Sequence, residues 1–146
     1  MVNLSKLSEN LKELMSERNL NQSALAEAMH TCSSKMSSYI TGKRAPNYDT
    51  FIALIEFFNC SADFLLGLKE YHCEDVSYKV VRPFNELLRA ILQDTGMSQY
   101  SFIKQSKISW GVFYNWLTGK SKPSIDNLVK IAKQFDCSVD YLLGRV

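Results

Sequence analysis

Apolar residues recur at helical spacing along most of the chain. Leu7, Leu11, Leu14 and Met15 lie three or four positions apart with polar residues between them, which predicts a helix ending near Asn19. Four shorter segments of the same kind follow before residue 69. Their inward positions are predicted to be Leu25, Ala26 and Met29, then Met36, Tyr39 and Ile40, then Phe51, Leu54, Ile55 and Phe58, and finally Phe64 and Leu65.

The whole pattern is repeated 77 positions further along. Thr-Gly-Lys-x-x-Pro occurs at residues 41–46 and again at 118–123, and Cys-Ser-x-Asp-x-Leu-Leu-Gly occurs at 60–67 and 137–144. Such self-similarity indicates an internal duplication. We therefore predict domain 1 at residues 1–69, a linker at 70–83 and domain 2 at 84–146. The inward positions of domain 2 are predicted to be Leu88, Ile91 and Leu92, then Phe102 and Ile103, then Phe113, Trp116 and Leu117, then Leu128, Ile131 and Phe135, and finally Tyr141 and Leu142.

The repeated Thr-Gly-Lys-x-x-Pro motif is partly structural. Gly42 is expected to end the third helix, because glycine adopts the positive φ of a helix C-terminus without strain. Pro46 then breaks the chain, and Asn47 and Ser61 are expected to cap the fourth and fifth helices. Five short helices, occurring twice, make the predicted fold class all-α. This account leaves the lysine of the motif unexplained.

Charge is distributed unevenly, although the net charge is only +2. Residues 28–48 and residues 95–125 contain no acidic side chain, whereas the flanking helices contain several. One basic, acid-free segment in each domain is what a surface facing phosphates requires. The cations of these segments are Lys35, Lys43 and Arg44 in the first, and Lys104, Lys107, Lys120 and Lys122 in the second.

Composition excludes several classes of protein. With 46% hydrophobic and 22% charged residues the chain is globular rather than disordered. Its apolar runs are too short to span a bilayer, and the N-terminus lacks the apolar stretch of a secretion signal, so we expect a cytoplasmic protein without membrane contact. Only two histidines are present, with no nucleophile–base pair or phosphate loop, so we expect no enzyme and no cofactor. No small-molecule ligand is evident.

The four cysteines show no Cys-x-x-Cys spacing. Cys60 and Cys137 occupy equivalent positions among apolar residues and are expected to be small buried side chains. We predict no metal site. A zinc or redox role stays open for His30, Cys32, His72 and Cys73, although nothing in their spacing requires one.

The ordered motifs resemble the helix-turn-helix of the Cro and phage-repressor (Xre-type) family. In the first copy the resemblance runs from Gln22 through Ala26, Met36 and Tyr39 to Gly42, and continues through residues 60–67. In the second copy it runs from residue 99 to residue 144. The resemblance implies two tandem five-helix, lambda-repressor-like domains in a sequence-specific regulator that binds double-stranded DNA. With no further domain, repression by promoter occlusion is the simplest expected action.

The resemblance also implies roles for individual residues. The third helix of each copy would enter the major groove of DNA. The residues expected to contact bases are Ser33, Ser34, Lys35, Ser37 and Ser38 in the first copy, and Trp110, Tyr114 and Asn115 in the second. The residues expected to hold phosphates are Gln22, Lys43 and Arg44 in the first copy, and Gln99, Lys120 and Lys122 in the second.

Some positions depart from the family pattern. Ile103 replaces the small Ala26, which should push the two helices of the second motif apart. His30 and Lys107 stand where the family usually has a turn glycine, at a cost of about 1 kcal/mol each if the backbone stays left-handed. Because the second copy presents Trp110 and Val112, one alternative is that domain 1 alone binds DNA. Domain 2 would then dimerise or bind a partner, as in an antitoxin-like regulator. A monomer on an asymmetric site and a homodimer both remain open.

Overall fold

The computed structural model describes residues 2–70 and 78–145. Within these residues it contains ten α-helices and no strand, which confirms the all-α prediction. The chain separates into two compact units that divide between residues 77 and 78. The first unit holds the five helices of domain 1 and the second holds the five helices of domain 2. The linker boundaries at residues 70 and 83 stay a prediction.

Domain 1 consists of α1 (Leu4–Glu17), α2 (Gln22–Ala28), α3 (Ser33–Ile40), α4 (Tyr48–Phe58) and α5 (Ala62–Leu65). Its predicted inward residues are buried, apart from Met29 and Ile40, which are half-buried. The predicted caps are confirmed. The Asn47 side chain accepts a hydrogen bond from the Thr50 N–H at 2.8 Å, and Ser61 accepts one from the Phe64 N–H.

Domain 2 consists of α6 (Phe84–Thr95), α7 (Gln99–Ser106), α8 (Trp110–Thr118), α9 (Ile125–Gln134) and α10 (Val139–Leu142). Most of its predicted inward residues are buried, but the prediction for Tyr141 is wrong. Tyr141 is 48% exposed, whereas its counterpart Phe64 is 1% exposed. Burying Tyr141 without a hydrogen-bond partner would cost the hydration free energy of its phenol hydroxyl. Phe64 has no hydroxyl, so its burial carries no such cost. Phe135 is half-buried rather than buried.

The turn between the second and third helices of each domain keeps a left-handed residue, although neither copy has a glycine there. His30 has φ 54° and Lys107 has φ 59°. The packing on either side of this turn differs between the domains. α2 and α3 approach each other closely, whereas α7 and α8 approach less closely. This difference agrees with Ile103 standing where Ala26 stands in domain 1, because a larger side chain between two helices separates their axes.

A buried ion pair closes the end of domain 2. The Arg145 Nη1 lies 3.1 Å from the Asp140 Oδ1, and both side chains are almost fully buried. The guanidinium also lies 4.2 Å from the ring centroid of Tyr78. Tyr78 therefore contacts domain 2, although it falls within the predicted linker. His72 and Cys73, for which a metal or redox role was left open, lie outside the described residues.

Within the described parts of the chain, no helix is both long and apolar enough to cross a membrane. Across the same residues, no three His, Cys, Asp or Glu side chains cluster in a way that could hold a metal ion. Cys60 is buried as predicted, whereas Cys137 is half-buried and Cys32 is exposed.

Candidate DNA-binding surfaces

A single side chain joins the starts of α2 and α3. The Gln22 Nε2 donates hydrogen bonds to the Ser33 carbonyl oxygen at 3.0 Å and to the Ser33 hydroxyl oxygen at 2.8 Å. Gln22 is the first residue of α2 and Ser33 the first residue of α3. The two helix N-termini therefore lie side by side. Both present N–H groups with no partner inside their helix, which is a favourable arrangement for an anion such as a phosphate.

The exposed face of α3 is lined by small hydroxyls. Ser33, Ser34 and Lys35 are exposed, whereas Ser37 and Ser38 are half-buried. The Ser38 hydroxyl donates to the Ser34 carbonyl oxygen at 3.2 Å, so its proton is already engaged with the helix backbone. Ser33, Ser34 and Lys35 are therefore the side chains on this face that are most exposed to a ligand.

Cys32 precedes α3 and contacts the same face. Its Sγ lies 3.2 Å from the Ser34 hydroxyl oxygen. This hydrogen bond, together with the backbone N–H of Lys35, lowers the pKa of the Cys32 thiol. A side-chain hydroxyl and a helix N-terminus both favour the thiolate over the thiol. The start of α3 is thus polarised to stabilise negative charge.

The loop after α3 is held by one carbonyl group. The backbone N–H groups of Lys43 and Arg44 both donate to the Ser38 carbonyl oxygen, at 3.0 Å and 3.2 Å. This geometry needs the left-handed backbone of Gly42, which has φ 77°. The side chains of Lys43 and Arg44 are exposed. Two cations are therefore fixed by their backbone at the C-terminal end of α3.

Domain 2 repeats this loop geometry. The backbone N–H groups of Lys120 and Ser121 donate to the Asn115 carbonyl oxygen at 2.9 Å and 3.2 Å, and Gly119 has φ 80°. Lys120 and Lys122 have exposed side chains. Both copies of the Thr-Gly-Lys-x-x-Pro motif thus place basic side chains at the same point relative to the preceding helix.

Each third helix is also tied to the first helix of its domain. In domain 1 the Ser8 hydroxyl donates to the Ile40 carbonyl oxygen. In domain 2 the Arg89 guanidinium donates to the Leu117 carbonyl oxygen at 3.1 Å. The two carbonyl groups are equivalent in the repeat, although the donors differ. Different side chains therefore hold α3 and α8 in place.

The face of α8 is aromatic where that of α3 is polar. Trp110, Val112 and Tyr114 are 54%, 41% and 59% exposed, and Asn115 is half-buried. The Trp110 ring packs edge-on against Phe113 with ring centroids 6.4 Å apart. Tyr100, at the start of α7, is 63% exposed as well, and it was not among the site residues predicted from the sequence.

The structure thus places the sequence-predicted residues at corresponding points of the two domains. In each, a glutamine begins the second helix, a third helix presents its face, and basic residues follow a left-handed glycine. The two glutamines differ in exposure, because Gln99 at the start of α7 is exposed whereas Gln22 at the start of α2 is half-buried. Hydrogen-bonding groups and cations dominate the first face, and aromatic rings dominate the second.

Comparisons with known proteins agree with this arrangement. Residues 87–146 match the family model described as a Cro/C1-type HTH DNA-binding domain, and residues 8–70 match the model of a helix-turn-helix domain. No curated protein and no solved structure matches the chain significantly. Two matches on consecutive segments agree with the duplication seen in the sequence.

Proposed function

We propose that this chain is a repressor that occludes a promoter, since its residues 87–146 match the Cro/C1-type HTH DNA-binding domain and its residues 8–70 match a helix-turn-helix domain. DNA binding by helix-turn-helix domains is the basis of transcription regulation in this family. The described residues contain two such domains in ten helices. Occlusion is the action that two DNA-binding surfaces can perform by themselves.

In domain 1 the proposed base contacts come from α3, through Ser33, Ser34, Lys35, Ser37 and Ser38. The observation that carries this proposal is the Gln22–Ser33 contact, which brings the N-termini of α2 and α3 together. A phosphate bound at these N-termini would hold the start of α3 against the major groove, where serine hydroxyls and a lysine can contact base edges. We assign Lys43 and Arg44 to phosphate binding through their side chains, and Gln22 through its backbone N–H, because its side-chain amide protons are engaged with Ser33.

In domain 2 the proposed phosphate contacts are Gln99, Lys120 and Lys122. Asn115 suits adenine, which offers one acceptor and one donor to an amide, and Trp110 and Tyr114 suit thymine methyl groups. Because the two faces differ in chemistry, the two half-sites should differ in sequence. We therefore favour a monomer on an asymmetric site over a homodimer on a palindrome.

The test is selection of bound sites from random double-stranded DNA by the intact chain, followed by footprinting. We expect a preferred site with two unlike halves. Ser34→Ala should then weaken binding to that site by about 1–3 kcal/mol without weakening non-specific binding. Ser16→Ala, which removes an exposed hydroxyl from α1, is the matched control and should have no effect. Selection of a single short half-site would contradict the two-domain arrangement.

The exposed rings of domain 2 favour a second candidate function. Exposed apolar patches often mark surfaces that contact another molecule, and Tyr100, Trp110 and Tyr114 are all more than half exposed. In this alternative domain 1 binds DNA, and domain 2 dimerises or binds a partner protein. Sedimentation velocity with the intact chain and with Trp110→Ser separates the alternatives. A concentration-dependent dimer that Trp110→Ser dissociates would favour dimerisation, whereas a monomer that loses DNA affinity on this substitution would favour DNA contact.

A further inference from the structure

Domain 2 carries a groove away from its helix-turn-helix face. Its volume is about 500 Å³, and it lies between the C-terminal ends of α6 and α9 and the start of α10. Pockets of about 300–1,000 Å³ are typical of small-molecule sites. The side chains that matter for its chemistry are Ile91, Asp94, Thr95, Phe135, Asp136 and Tyr141.

The internal repeat shows what occupies the equivalent position in domain 1. Arg18 is the counterpart of Thr95, and Phe58 is the counterpart of Phe135. The Arg18 guanidinium lies 5.2 Å from the ring centroids of both Phe57 and Phe58. It also donates a hydrogen bond to the Phe57 carbonyl oxygen at 2.7 Å. In domain 1 a side-chain cation therefore covers the aromatic wall.

In domain 2 Thr95 stands in the place of that arginine, and among the described residues no cation covers the ring of Phe135. Thr95 is too short to extend over Phe135, and its hydroxyl donates instead to the Ile91 carbonyl oxygen at 2.7 Å. Phe135 stacks on Phe102 with ring centroids 5.6 Å apart, which holds its ring in place. Phe135 and Tyr141 are both more exposed than their counterparts in domain 1.

The electrostatics of the groove also favour a cation. Asp94 and Asp136 both line it, and neither carboxylate has a hydrogen-bond or ion-pair partner within residues 2–70 and 78–145. Lys79 and Arg82 line an adjoining groove of about 220 Å³ that shares Asp94, whereas Asp136 lines only the first groove. Aromatic rings and carboxylates together form an environment that binds guanidinium and ammonium groups.

We propose that this groove of domain 2 binds a small organic cation, a guanidinium, amidinium or amine attached to a flat apolar body. The cationic group would occupy the place over Phe135 that Arg18 occupies over Phe58, with Asp136 as its counter-charge. The apolar body would lie between Ile91 and Tyr141. This site is separate from the proposed DNA contacts and does not depend on them.

The test uses benzamidine as the probe and benzamide, a neutral molecule of nearly the same shape, as its control. Both are titrated into the intact ¹⁵N-labelled chain, and amide chemical shifts are followed. We expect saturable shifts with benzamidine at residues 91–95 and 135–141, and none with benzamide. Equal shifts with the two compounds, or shifts elsewhere in the chain, would refute the proposal.

Two further variants each introduce the residue that domain 1 has at the equivalent position of the repeat. Thr95→Arg supplies the missing guanidinium and should abolish the shifts. Asp136→Asn should weaken benzamidine binding about fivefold, the upper range for an exposed ion pair. Asparagine is well tolerated there, because Asn59 has the same left-handed backbone as Asp136. Glu86→Gln removes an exposed charge of α6 outside the groove and should change nothing. Unchanged affinity in a folded Asp136→Asn chain would overturn the role of the carboxylate and with it the proposal.

Discussion

The salt dependence of DNA binding tests both domains at once. Lys43 and Arg44 in domain 1 and Lys120 and Lys122 in domain 2 are the cations that we assign to phosphates, and all of them have exposed side chains. Each cation that neutralises a phosphate releases counterions, which contributes about −0.9 to the slope of log affinity against log salt concentration. The perturbation is the removal of one pair at a time, as Lys43→Ala with Arg44→Ala, or Lys120→Ala with Lys122→Ala.

Four cations are assigned to phosphates in our proposal, so the expected slope for the intact chain is about −3.6. Raising the salt concentration from about 50 to about 200 mM should then weaken binding roughly 150-fold. With either pair removed, the slope should fall to about −1.8 and the loss over the same range to about 12-fold. Lys43→Ala by itself should reduce the slope by about 1 and weaken binding to all sequences alike.

Fluorescence anisotropy of a labelled duplex, measured over this salt range, gives the slopes. Lys12→Ala with Lys130→Ala removes two exposed lysines from α1 and α9 and serves as the charge-matched control, with an unchanged slope expected. An unchanged slope after loss of Lys43 and Arg44 would refute the assignment of these residues. A slope that responds to the domain 1 pair but not to the domain 2 pair would show that domain 2 does not contact DNA.

Three further predictions concern single positions. Gly42→Ala should destabilise domain 1 by about 1–2 kcal/mol in urea unfolding followed by circular dichroism, because φ is 77° and the added Cβ would lie 3.3 Å from the Leu4 carbonyl oxygen. Arg145→Ala should destabilise domain 2 by about 3–5 kcal/mol, because it leaves the Asp140 carboxylate buried without its cation. Urea unfolding followed by the fluorescence of the two tryptophans, which both lie in domain 2, measures this loss of stability. A loss below about 1 kcal/mol would contradict the prediction. Ser34→Ala should raise the pKa of the Cys32 thiol, which the Ser34 hydroxyl lowers. Since the thiolate is the reactive form, iodoacetamide should alkylate Cys32 more slowly near pH 7.5 in this variant, and an unchanged rate would exclude the hydrogen bond as the cause.

Much of the local structure of the candidate DNA-binding surfaces could be predicted from the sequence. The end of α3 near Gly42 followed from the preference of glycine for positive φ, whereas the left-handed backbone at His30 and Lys107 was only a condition that the structure fulfils. The exposure of Trp110 followed from helical periodicity once the inward residues of α8 were assigned. These are local properties, and each depends on a few neighbouring residues in the chain.

Contacts between distant segments could not be predicted in the same way. The hydrogen bonds from Gln22 to Ser33 depend on the approach of two helices. Tyr141 was wrongly predicted to be buried, because helical periodicity places it on the inward face of α10. The exposed fraction of its ring depends on how α10 packs against the other helices of domain 2. Sequence alignment of the two copies pairs Thr95 with Arg18, but it does not show that the guanidinium lies over two rings.

The sequence by itself determined the duplication, the all-α class, the helix ends and the basic segments, because turn residues and helical periodicity act over a few positions. The tertiary structure alone decided which side chains meet across the domain, namely the Gln22 bridge, the buried Asp140–Arg145 pair and the open groove beside Phe135. The physical reason is that burial and hydrogen bonding depend on distances between helices, and the same local pattern in two copies permits different packing.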